Sequence, residues 1–168
     1  MQAFTLLHVA ISLVAIVAGL IALRGMLHNA RPGAITHLFL ITTALTTVTG
    51  FMFPITAFTP AIGVGIVSAV LLVAAFLGIY AFNLAGSWRW IYAATAIAAL
   101  YLNCFVLIVQ SFQKVPVLAQ LAPTQSEPPF QIAQALLLMA FVWYGWRAVR
   151  RFHPMTAAPP EATSAFIP

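Results

Sequence analysis

Acidic residues are almost absent: Glu127 and Glu161 are the only two in 168 positions. No carboxylate pair is therefore available for hydrolytic acid–base chemistry or for a catalytic metal. Charge of either sign is scarce, at 5% of residues. Soluble domains carry roughly 25%, so this chain cannot coat a water-facing surface. The single cysteine, Cys104, can form no intrachain disulfide and carries no information about compartment. The sequence has no phosphate-binding glycine loop, no HExxH and no CxxC. A serine nucleophile would require Ser68 or Ser111 beside a base. Ser111 near His8 would have no orienting acid except Glu127, so catalysis by the chain's own side chains is not expected.

What the chain does have is apolar length. Hydrophobic residues make up 63% and the mean hydropathy is +1.04. Several runs reach the roughly 20 residues that cross a bilayer. The pattern predicts an all-α membrane protein, a bundle of five transmembrane helices over about 4–27, 36–58, 62–82, 88–113 and 130–149. These form one domain, 1–154, followed by a flexible tail, 155–168, rich in Ala, Pro and Thr. The first run has no positive n-region and is too long for a signal-peptide core, so it is expected to be a retained span. No internal repeat is evident, and five spans do not suit a simple inverted-repeat transporter.

The stretch from Trp88 to Phe130 organises the rest. It opens on Trp88-Arg89-Trp90, carries Tyr101, Asn103 and Gln110 through an apolar run, and ends in a proline-bounded loop. Of the seven cations, Arg24, Arg31, Arg89, Arg147, Arg150 and Arg151 share one side in a five-span arrangement, and Lys114 stands alone on the other. The expected orientation is N-terminus outside and C-terminus cytoplasmic. Tyr92 and the Trp88/Trp90 and Trp143/Trp146 pairs fall where an interfacial aromatic belt belongs. The cations sit at the edges of apolar runs, so lipid phosphate is their expected partner, and no nucleic-acid partner is expected.

Three polar sets are candidates. Thr42, Thr46 and Thr49 share one face of the second span, with Thr43, Thr47 and Gly50 on the adjacent face. Helix packing and lining of a solute path both remain open for them. On the fourth span Tyr92, Asn103 and Gln110 share a stripe. Asn103 lies ~20 Å from the Trp88 end by helix rise, near the depth of Thr46 and Thr49. It either glues helices together or contacts a ligand. The third set is His8, Gln110 and Gln134, about a turn below the outer face on three spans, beneath Lys114 and Glu127. Polar groups converging at one depth suggest a small-ligand or proton site, against the plainer reading of a histidine anchoring its helix. The ligand-contact candidates are thus His8, Gln110, Gln134, Asn103, Thr46, Thr49, Lys114 and Glu127. None is assigned as catalytic or as a metal ligand.

Heme is disfavoured by depth. His8 is ~20–25 Å of helix rise from His28, His37 and His153, so only His28 and His37 match in depth for bis-histidine ligation. The loop from Lys114 to Phe130, with Pro116, Pro123, Pro128 and Pro129, reads as a stiff connector or as a lid over the His8 level.

Trp88-Arg89-Trp90-Ile91-Tyr92, the paired threonines leading to Gly50-Phe51-Met52-Phe53-Pro54, and the segment Ala122 to Pro129 resemble small bacterial integral-membrane proteins without an assigned function. The resemblance implies an inner-membrane location and carries no active residues. The leading functional expectation is a non-catalytic accessory or assembly subunit, or a homo-oligomer. Its polar outer-leaflet pocket would hold a lipid, quinone or similar molecule. A small-solute or proton channel, and a heme- or quinone-linked redox protein, are the alternatives.

Overall fold

The computed structural model describes residues 2–53 and 59–154. Six α-helices follow in order: α1 Gln2–Leu27, α2 Ala34–Phe51, α3 Pro60–Phe76, α4 Trp88–Lys114, α5 Pro116–Leu121 and α6 Pro128–Arg151. A π-helical turn, Leu77–Ala81, continues α3. Among the described residues five helices are long and apolar enough to cross a membrane: α1, α2, α3 with its continuation, α4 and α6. Among the described residues there is no β-strand. The end of the expected second span past Phe53, the expected tail 155–168 and Glu161 lie outside the described residues.

Local chemistry sets the boundaries. α1 stops at Asn29, which takes a left-handed conformation at φ 58°. Its amide donates to Met26 O and that of Ala30 donates to Gly25 O, a paired closure of the last helical turn. α2 starts on Gly33 and ends by Met52, because a helical backbone is disfavoured immediately before Pro54. α3 and α6 begin on prolines at their first positions, where a missing N–H is not felt, so both start two residues earlier than the apolar runs suggest. Past the π-turn the chain reverses through left-handed Asn83, Leu84 and Gly86. α4 stops at Lys114 because Val115, ahead of Pro116, is extended.

The fourth span touches every other spanning helix. Its buried face steps through Ala93, Ala96 and Ala99, all fully buried, with Leu100 alongside. α1 offers buried Ala15, Ala18, Gly19 and Ala22. In lipid there is no hydrophobic force between helices, so close van der Waals contact between small residues holds them together. Gly19 shows how close the approach is. A Cβ there would overlap Leu100 Cδ1 and lie 2.8 Å from the Phe39 ring.

Gly19→Leu should therefore lower the thermal midpoint in detergent by an amount corresponding to ~1–3 kcal/mol, the usual cost of overpacking. Gly25→Ala is the control, since its Cβ would meet only Ala30 Cβ at 3.7 Å; it should be neutral or slightly stabilising. Equal melting of Gly19→Leu and wild type would contradict this packing.

Candidate functional site

At one end of the bundle, α1 and α2 are joined through His8. Its Nδ1 lies 2.7 Å from Thr49 Oγ1. The Thr49 hydroxyl donates to Leu45 O at 2.7 Å, so it accepts from His8 Nδ1–H. In the neutral ring this leaves Nε2 as the acceptor. Phe53 stands edge-on to the imidazole at 5.3 Å between ring centres, and Phe4 packs on Phe53. Gly50 lies beside the ring, where an added Cβ would sit 3.8 Å from the imidazole.

The other candidates of this level take separate partners. Gln134 Nε2 donates to Phe105 O at 3.3 Å, while its Oε1 is buried with no partner among the described residues. Gln110 is exposed and bonds to no described residue, and the same holds for Lys114. No hydrogen bond links His8, Gln110 and Gln134. The structure thus pairs His8 with Thr49, ties Gln134 to α4 and leaves Gln110 exposed, so the three do not converge.

Glu127 belongs to the loop. Thr124 donates to its carboxylate through both hydroxyl and amide, at 2.9 and 3.2 Å, and the Ser126 amide donates at 3.1 Å. Desolvation pushes this carboxyl up, but those donors outweigh it and hold it below its ordinary range. Gln125 Nε2 donates to Val109 O at 3.1 Å and Gln131 Nε2 to Ser126 O at 2.8 Å. The connector is fastened to the ends of α4 and α6, with α5 inside it.

Deeper in the bundle the threonines of α2 turn inward on their own helix. Thr42, Thr46 and Thr47 donate to the carbonyls of Leu38, Thr42 and Thr43. Asn103 Nδ2 donates to Thr43 Oγ1 at 3.3 Å, bridging α4 and α2. Thr46 and Thr49, expected at its depth, are not its partners. Thr43 is the fully buried threonine of the run, so it is the one that α4 can reach.

The opposite end holds what sequence reading missed. Tyr92, expected in the interfacial belt, is fully buried. Gly78 of the π-turn lets the backbones meet above it, since a Cβ there would come within 2.9 Å of Tyr92 Cβ. Phe152 packs on the Tyr92 ring at 5.9 Å and is itself buried. The Arg89 guanidinium donates to Phe152 O, and the His153 amide donates to Asn29 Oδ1 at 2.6 Å. The first bond ties the end of α6 to the start of α4, and the second ties it to the α1–α2 turn. Between them lies a cavity of about 240 Å³ lined by α1, the turn, the start of α2, Tyr92 and Phe152. Pro32-Gly33 beside Arg31 marks the turn in the sequence, but nothing there places Tyr92 against it.

The remaining histidines are occupied at this end: His28 Nδ1 faces Arg24 O at 2.8 Å, and His37 Nδ1 pairs with the Tyr80 hydroxyl. Among the described residues no cluster of three His, Cys, Asp or Glu side chains forms. No protein-family model, curated protein or solved structure matches the chain.

A double-mutant cycle on His8→Leu and Thr49→Val should give a coupling of about 0.6 kcal/mol, and no more than about 1.7, the measured span for bonds between membrane helices. Thermal unfolding in detergent reads it. Strict additivity would show that the His8–Thr49 contact does not join α1 to α2.

Proposed function

We propose that this chain is a non-catalytic multi-pass membrane protein that serves as an accessory or assembly subunit or a homo-oligomer. It resides in a bacterial inner membrane, with its N-terminus outside and its C-terminus in the cytoplasm, as its lopsided arginines favour. A lipid, quinone or similar amphiphile is its small-molecule partner at the outer level, where the unpartnered Gln134 Oε1 and exposed Gln110 offer an acceptor and an amide.

One observation carries this reading: most polar groups within the spans are spent on joining helices or on their own helix's backbone. His8 bonds Thr49, Asn103 bonds Thr43, Gln134 bonds the Phe105 carbonyl, and the threonines of α2 bond their own backbone. A transport route or reaction centre needs polar groups turned toward a solute. Here most are turned toward another helix or toward their own helix's carbonyls, which suits a rigid bundle that partners bind. α6 fits a partner-facing or lipid-facing role, with Leu136, Met139, Val142 and Trp143 exposed along it and only Gly145 and Ala148 buried.

Native mass spectrometry of protein extracted in a mild detergent tests this. The expected spectrum shows multiples of the 18.1 kDa chain or a complex with a second protein. A bare monomer that also moves protons or small solutes across liposomes would overturn the proposal in favour of a transporter.

A further inference from the structure

α6 carries its charges in an arrangement found nowhere else in the bundle. At 3.6 residues per turn, Leu136, Met139, Trp143, Trp146, Arg147 and Arg150 fall within one ~100° arc of the helix. The opposite face packs inward through buried Gly145 and Ala148, and a Cβ on Gly145 would lie 3.3 Å from Ile97 of α4. The arc therefore looks out of the bundle. Leu136, Met139, Trp143 and Trp146 are each more than half exposed.

Two cations close this arc at the helix end. The Arg150 guanidinium lies 4.3 Å from the centre of the Trp146 ring, and that of Arg147 lies 5.9 Å from the centre of the Trp143 ring. Each arginine sits one turn past its indole, which holds the cation by its π face and leaves the N–H edge free to donate. Positions 147 and 150 are three apart, so the two side chains are neighbours on the helix surface. Neither has a hydrogen bond or ion pair among the described residues. Glu127, the one acid among the described residues, stands at the other end of α6, ~30 Å away by helix rise, and is held by Thr124 and Ser126.

Charge and length together select what covers such a face. Paired guanidiniums with free donor edges suit a phosphate, which accepts from both. From Trp143 back to Ile132 the exposed apolar surface runs ~16 Å by helix rise, close to half of the ~30 Å hydrocarbon core of a bilayer. The occupant is thus an amphiphile one leaflet deep with a phosphate head. A zwitterionic head would also bring an ammonium, and no acid among the described residues is at this end to receive it.

We infer that the outer arc of α6 is a docking face for an anionic phospholipid. Its phosphate sits between the Arg147 and Arg150 guanidiniums, and its chains lie along Trp143, Met139 and Leu136. The assignment rests on the lipid-facing reading of α6 and is independent of the subunit role. Its failure would be read in lipid affinity, and failure of the subunit role in the mass of the protein assembly.

The test titrates phosphatidylglycerol or phosphatidylcholine into delipidated full-length protein in detergent and reads the lipid-bound states by native mass spectrometry. Wild type should bind phosphatidylglycerol the more tightly. Arg147→Gln and Arg150→Gln should each lower that affinity about fivefold, with a smaller effect on phosphatidylcholine. The control is Arg24→Gln with Arg31→Gln, which removes the same charge from two exposed arginines at the same end. It should leave phosphatidylglycerol affinity nearly unchanged at physiological salt, where exposed charges more than ~8 Å apart are screened. Trp143→Leu with Trp146→Leu keeps both cations but removes the indoles, and should weaken phosphatidylglycerol binding at unchanged net charge. Equal affinity of wild type for the two lipids overturns the assignment. So does an equal loss from the two arginine pairs, which would mean attraction spread over the whole end, or undiminished binding by the tryptophan variant. If the doubly substituted arginine protein does not fold, Arg150→Gln alone reads the same loss.

Discussion

The close approach of α4 to its neighbours is the constraint on which the rest depends. Helices in a bilayer gain little from hiding apolar surface, because the lipid is as apolar as they are. They must fit. Ala93, Ala96 and Ala99 give α4 a flat face, and Gly19 lets α1 come so near that Leu100 and Phe39 occupy the space of a side chain. Gly78 does the same at the π-turn, letting α3 close over Tyr92. Once those backbones are in place, the polar groups have only certain partners within reach. Asn103 meets Thr43, Gln134 meets the carbonyl of Phe105, and the Tyr92 hydroxyl is shut in with no partner among the described residues.

Much of the architecture was legible because apolar length and punctuation are local properties. Five runs of sufficient length, broken at Pro32-Gly33, Pro60, Gly86 and Pro128-Pro129, correspond to five long helices. The stretch from Trp88 to Phe130 stood out in the sequence for its internal polar groups and proline-bounded loop, and its helix is the one that touches every other spanning helix. Details that require two helices to meet were not legible. Periodicity puts Thr43, Thr46 and Thr49 all within reach of a neighbour, but only the rotation of α2 makes Thr43 the buried one. The π-turn is likewise invisible in an apolar run, since Leu77-Gly78-Ile79-Tyr80-Ala81 would serve equally well as α-helix. Tyr92 read as a belt residue because its sequence neighbours are tryptophans. Its burial depends on Gly78, fourteen positions away, and on Phe152, sixty positions away.

The two ends of the bundle differ in kind. At the end holding His8, the charges are few and Glu127 is absorbed by its own loop. At the other end six arginines gather, with no acid among the described residues nearby, and two of them lie against α6 tryptophans. Arg150 sits 4.3 Å from the Trp146 ring centre, a stacking that holds a cation at an interface.

In this bundle α4 is the enclosed centre and α6 an outer face. Photolabelling in membranes with a phospholipid carrying a diazirine in its acyl chain, mapped by peptide mass spectrometry, reads this directly. Label should concentrate on the exposed positions of α6, such as Leu136, Met139 and Val142, and be absent from residues 93–100. Labelling of 93–100 as heavy as that of α6 would contradict it.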